Sequence, residues 1–113
     1  MPNAFTQTPV QVIYTIKCKN PEVKPFYIGS TMNVKKRKQH HMEYTKYENT
    51  IHYDFPVYKY IRENGGWSNW EFKPVQYHYG LDTKALRRLE QQYIDANGGV
   101  QDLLNCVRAT VDT

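Results

Sequence analysis

Five side chains along the chain have the types that phosphate-ester chemistry uses. Arg37 and His41 lie four residues apart in Val34-Lys35-Lys36-Arg37-Lys38-Gln39-His40-His41, so on a helix they share one face. A guanidinium keeps its charge at any working pH and can fork onto two phosphate oxygens, which the flanking lysines match only as flexible point charges. The imidazole can accept or relay a proton, or contact phosphate when charged. Glu90 stands inside the apolar stripe of Leu86, Leu89, Tyr93 and Ile94, where a carboxylate needs a reason. One reason is a divalent cation, since magnesium keeps several waters and is held by one or two carboxylates plus substrate phosphate. The other is an ion pair with Arg87, three residues earlier. Tyr14 and Tyr27 add two phenols, each inside a strand-like run. A clamp for an oxyanion, groups that move a proton and an anchor for a cation are together what hydrolysis of a phosphodiester requires.

These groups are far apart in sequence, so the elements must gather them. Val10, Val12, Tyr14, Ile16 and Cys18 alternate with Gln11, Thr15 and Lys17, which predicts a half-buried strand ended by Asn20-Pro21. Lys24 to Gly29 resumes as a second strand, close enough to pair antiparallel with the first. Asn33 is placed to cap a helix from Val34 to about Tyr47 that carries Arg37 and His41. Asp54, ahead of Phe55-Pro56, is expected to cap a shorter helix ended by Asn64-Gly65-Gly66, and Trp67 to Tyr79 reads as a third strand. Asp82 caps a last helix, Thr83 to about Ala96, stopped by Asn97-Gly98-Gly99. The order ββααβα predicts an α+β fold, a three-stranded antiparallel β-sheet flanked by α-helices.

At 113 residues the chain has the size of one domain, with residues 1–9 expected as a flexible arm and 10–113 as a single domain. No apolar run is long enough to span a membrane, and the first residues lack the regions of a signal peptide, so an intracellular, soluble location is expected. Cys18 and Cys106 have no metal-ligand spacing and are expected as small buried side chains. Charge is concentrated. Residues 1–41 hold seven Lys or Arg against Glu22 alone, a net +6, while the rest hold eight against ten acids, a net −2. Such a patch suits a polyanion, although a lysine-rich helix face is more often plain solvated surface.

Val12-Ile13-Tyr14 followed by Tyr27-Ile28-Gly29-Ser30-Thr31 resembles the paired signature of the GIY-YIG nuclease family, with Val12 where the first glycine usually stands. The likeness continues through Arg37, His41, the segment Tyr58 to Gly65, Glu90-Gln91-Gln92-Tyr93-Ile94 and Asn105, roughly residues 10 to 107. It implies the α+β nuclease fold and a DNA endonuclease dependent on magnesium or manganese. It further implies a catalytic set of Tyr14, Tyr27, Arg37, His41 and Glu90, with Glu90 as the metal ligand. Tyr14 is then the general base toward the attacking water, and Tyr27 hydrogen-bonds the phosphate or the base. A phenol with a pKa near 10 needs Arg37, Lys17 or the metal to lower it for that task. Lys17, Ser30, Thr31, Lys35, Lys36, Lys38, His52 and Asn105 are expected to meet DNA, Asn105 packing near the glutamate. With about nine residues before the first strand, sequence recognition is expected from a homodimer, from a separate partner, or not at all. A viral or mobile-element origin fits such a member. The competing expectation is a binding module without turnover that keeps the fold and basic patch and stacks bases on Trp67 and Trp70.

Overall fold

The structure is a computed structural model that describes residues 10–98 and 103–105. The expectations for residues 1–9 and for Cys106 lie outside the described residues. The elements run β1 (Val10–Cys18), β2 (Tyr27–Thr31), α1 (Val34–Lys46), α2 (Pro56–Glu63), β3 (Trp70–Tyr79) and α3 (Thr83–Ala96), with a 3-10 turn, Trp67–Asn69, ahead of β3. The three strands form one antiparallel sheet in the order β2-β1-β3. This is the expected α+β architecture.

The central place of β1 changes its environment. Alternation predicts a strand buried on one face, but every residue from Gln11 to Ile16 is buried. With neighbours on both sides and helices on both faces, β1 has no solvent face. Val12, Tyr14 and Ile16 point into a core closed by Val57, Tyr58 and Ile61 of α2, while Ile13 points into a second core with Ile28, Leu86 and Ile94. Burying each such aliphatic side chain stabilises the fold by roughly 1.5–3 kcal/mol. Gln11 is accommodated because its amide both donates to and accepts from the backbone of Leu81.

Boundaries moved where proline or a turn intervened. The second strand begins at Tyr27 rather than Lys24, because Pro25 has no N–H to give a ladder. The third begins at Trp70, after the 3-10 turn. Asp54 does not cap α2: the cap position belongs to Phe55, no side chain bonds there, and Pro56 starts the helix with a preset φ and no donor to satisfy. Gly65, at φ 102°, takes the left-handed turn that ends α2, and Gly66 N–H closes it on the Ile61 carbonyl at 2.9 Å. The caps of the two site-bearing helices are as expected: Asn33 accepts from Lys36 N–H at 3.0 Å and Asp82 from Ala85 N–H at 2.7 Å.

Candidate active site

Tyr14 fixes the geometry on one face. Its register partner across the β1–β2 ladder is Gly29, and a Cβ at Gly29 would overlap the Tyr14 hydroxyl and the ring carbon that bears it. The glycine of Tyr27-Ile28-Gly29 is therefore needed so that a phenol can lie across the neighbouring strand. Phe72 of β3 stacks on the other side at 4.2 Å between centroids. Tyr14 is 0% exposed, whereas Tyr27 is half-buried, its ring 6.3 Å from that of Tyr14.

Helix α1 lays Arg37 and His41 against these phenols. His41 is turned inward, with Nε2 at 2.7 Å from the Tyr14 hydroxyl and Nδ1 at 2.9 Å from the Tyr58 hydroxyl. Its neighbour His40 lines a shallow pocket of about 230 Å³ with Thr31, Asn33, Lys36 and Arg37, at the N-terminal end of α1. The helical spacing correctly pairs His41 with Arg37, but the histidine that faces the basic pocket is His40. Spacing gives the shared face of a helix without giving its depth.

Arg37 sits where the two faces of the sheet meet. Ser30 shares its strand face with Ile28, toward α3, while Tyr27 and Gly29 share theirs with Tyr14. β2 is an edge strand, so Arg37 can reach its rim: Nη1 makes a long hydrogen bond to the Ser30 carbonyl at 3.4 Å, and the guanidinium charge lies near enough to act on the Tyr14 hydroxyl. On the far face the Ser30 hydroxyl donates to Glu90 Oε1. Arg37 is electrostatically coupled to Tyr14, Tyr27 and Glu90 together. Burial alone would ease its proton off, but those three neighbours outweigh burial and hold its pKa above the ordinary value.

The other ionisable groups are shifted with clear causes. Burial lifts Tyr14 well above the usual phenol range, Tyr27 adds to this, and the nearby charge of Arg37 pulls the other way without prevailing. Lys17 gives no help, because its ammonium lies 4.5 Å from the centre of the Phe26 ring, on the α3 side. Burial pushes His41 down to about 3, with Arg37 and His40 adding to the effect, so its imidazole is neutral. Burial raises Glu90, opposed by the Ser30 hydroxyl, Arg87 and Arg37. Among the described residues no three His, Cys, Asp or Glu cluster as metal ligands. A half-buried carboxylate whose charge is penalised by burial does fit a hydrated divalent cation that needs a single protein anchor.

The remaining expected contacts are placed as follows. Thr31 is buried with its hydroxyl bonded to the backbone of Asn33, on the wall of the pocket. Lys35, Lys36 and Lys38 are exposed on α1. His52 lies between α1 and α2, stacked on Tyr44 at 4.1 Å and edge-on to Phe55, with a buried Nδ1 that has no hydrogen-bond partner among the described residues. Asn105 is 7% exposed, and its amide grips both backbone groups of Ile28, accepting from N–H at 3.1 Å and donating to the carbonyl at 2.7 Å. It is a clamp on the open edge of β2, and its polar atoms are spent there, not on DNA. Trp70 is 4% exposed with its indole N–H on the Asn64 carbonyl, which removes the stacking surface expected of it, while Trp67 is half-buried against the same core. Tyr58 carries no functional mark in the sequence, since a tyrosine on an amphipathic helix reads as core. Its one signal is the hydroxyl, which a buried phenol must satisfy.

A family model described as the GIY-YIG catalytic domain matches residues 10–101. No curated protein and no solved structure matches the chain.

Proposed function

The chain belongs to the GIY-YIG nuclease family, and from that premise we propose that it is a divalent-metal-dependent DNA endonuclease that hydrolyses phosphodiester bonds at the edge of β2. Nucleases of this family act on DNA and in general use divalent metal ions. One observation carries the reading for this chain: Arg37 stands at the rim of β2 with both tyrosines on one side, Ser30–Glu90 on the other, and the basic pocket beside it. A non-catalytic binding surface has no use for a half-buried carboxylate coupled to that arginine.

In this reading Arg37 forks onto the scissile phosphate, with Lys36 and His40 of the pocket beside it. Because Tyr14 is fully buried, the solvent-facing task falls in this reading to Tyr27, which orients the attacking water, and Tyr14 supports the site from below. His41, neutral, is hydrogen-bonded to the Tyr14 hydroxyl and holds it in place. Glu90 would anchor a magnesium or manganese ion, which when bound polarises the phosphate and makes a water more acidic. Lys35 and Lys38 draw in the DNA without touching the reacting group. The test is a cleavage assay with magnesium or manganese on supercoiled, nicked, flapped and branched DNA. Metal-dependent product that vanishes in Glu90→Ala is expected. No cleavage of any of these substrates by the parent protein would sink the proposal.

A further inference from the structure

His41, Tyr14 and Tyr58 are 3%, 0% and 5% exposed, so the hydrogens of this trio must be shared among protein atoms. Both ring nitrogens of His41 face a hydroxyl, Tyr14 on Nε2 and Tyr58 on Nδ1. A neutral imidazole offers one N–H and one lone pair, which leaves two directions for the pair of bonds. Either Tyr14 donates to Nε2 and Nδ1–H donates to Tyr58, or both bonds run the opposite way. Arg37 breaks the symmetry. Its guanidinium lies on the Ser30 carbonyl, one residue beyond the glycine that the Tyr14 hydroxyl covers, and a positive charge there favours a Tyr14 oxygen with its lone pairs turned toward it and its hydrogen turned away. If Nε2–H donated to that oxygen, the Tyr14 hydrogen would need another acceptor in a place with no solvent contact, and an unmade buried bond is costly. Donation from Tyr14 to Nε2 avoids this, provided Nδ1–H has an acceptor of its own.

We propose that Tyr58 is a positioning residue for the cleavage site, its oxygen holding the Nδ1 hydrogen of His41 so that Nε2 takes the Tyr14 hydrogen and the Tyr14 oxygen turns its lone pairs toward Arg37. The donors then run in one direction, from Tyr14 to His41 to Tyr58. The guanidinium is held on the Ser30 carbonyl beside that oxygen, with the rest of its five-donor fork left for phosphate. A residue on α2 thereby sets the aim of a residue on α1 through the central strand of the sheet.

The His41 tautomer decides the matter and can be read from ring nitrogen shifts in a ¹⁵N-labelled parent protein. An Nδ1–H imidazole is expected, and an Nε2–H imidazole overturns the proposal outright. Tyr58→Phe keeps the ring and removes the oxygen. It is expected to switch His41 to the Nε2–H form and to lower kcat roughly tenfold with KM unchanged, the scale of one lost hydrogen bond in the transition state. If tautomer and rate do not change together in Tyr58→Phe, Tyr58 has no positioning role. The rate arm rests on the nuclease reading, whereas the tautomer arm does not. A parent that cuts no DNA therefore refutes the nuclease reading while the nitrogen shifts still decide the direction of the bonds.

Discussion

The two faces of the sheet solve opposite problems with polar groups. On the α1–α2 face, Tyr14, His41 and Tyr58 are buried, the phenol of Tyr14 and the imidazole of His41 are held neutral, and the three are joined by hydrogen bonds of 2.7 and 2.9 Å. On the α3 face, Ser30 and Glu90 place a carboxylate where burial works against its charge. The trio on the first face is joined without any ligand. The second carries a charge that a cation would relieve. The neutral hydrogen-bonded trio and the half-buried carboxylate are thus kept on separate sides of one thin layer, and Arg37 at the β2 rim is coupled to both.

The sharpest way to break this comparison is to remove the coupling. Arg37→Ala should lower the single-turnover cleavage rate by about 10³-fold, the usual scale for a group that stabilises transition-state charge on phosphate. Arg37→Lys keeps a charge but loses the fork that can hold the Ser30 carbonyl and a phosphate at once. Its rate should fall almost as far. A lysine variant within tenfold of the parent would mean that charge alone is sufficient and that the rim geometry is incidental.

Glu90→Gln tests the charged face, and it should separate activity from stability. Cleavage is expected to drop about 10²-fold, as for loss of a metal anchor or its equivalent. Because burial raises the folded pKa of Glu90 above its unfolded value, the stability this group contributes is full below the unfolded pKa and lost as pH rises through the folded one. At pH 7 to 8 the parent therefore carries the penalty of the charge, and the glutamine variant should melt higher without divalent metal. Magnesium should raise the Tm of the parent and leave that of the variant unchanged. A lower Tm for the variant in the absence of metal would show that the carboxylate is already fully compensated, and the contrast between the faces would disappear.

Much of this arrangement was legible in the sequence. Element order, antiparallel pairing, the Asn33 and Asp82 caps and the inward position of Glu90 follow from periodicity and capping chemistry, which are local. Depth is not local. That β1 is central depends on β3 pairing with it from more than fifty residues away, so the full burial of Tyr14 could not be read from alternation along β1. The same gap hid the depth of His41, the place of His40 on the basic pocket, and Tyr58, whose hydroxyl meets an imidazole on α1 only because α2 folds back over it. Asn105 shows a further gap: its partner is the backbone of Ile28, which has no sequence signature.

The neutral face makes its own prediction in acid. His41 titrates near 3 in the fold against about 6.5 when unfolded, so between these values the unfolded chain takes up a proton that the native chain refuses. The stability tied to His41 is present above pH 6.5 and is lost progressively as pH falls toward 3. At pH 5 the loss amounts to about 2 kcal/mol. Urea melts at pH 7 and pH 5 should show this fall in the parent and a much smaller one in His41→Gln, while Glu90→Gln should leave the acid limb steep. Equal slopes in the parent and His41→Gln would mean that the imidazole is accessible to protons and that this face is not the closed, neutral one described here.

The smallest effect concerns which face the DNA crosses. Lys36 lines the pocket beside Arg37, whereas Lys17 emerges on the α3 side over the Phe26 ring. A lysine that neutralises a phosphate releases counterions, so its removal lowers the slope of log affinity against log salt by about one and weakens binding by under about 1 kcal/mol at moderate salt. Lys36→Ala should show that change and Lys17→Ala should not, measured on a duplex in EDTA so that cleavage does not interfere. If the two lysines alter the slope equally, the duplex contacts both sides of the β2 rim. Arg37 would then lie beneath the centre of the DNA, and the neutral face would be an interior support instead of the docking side.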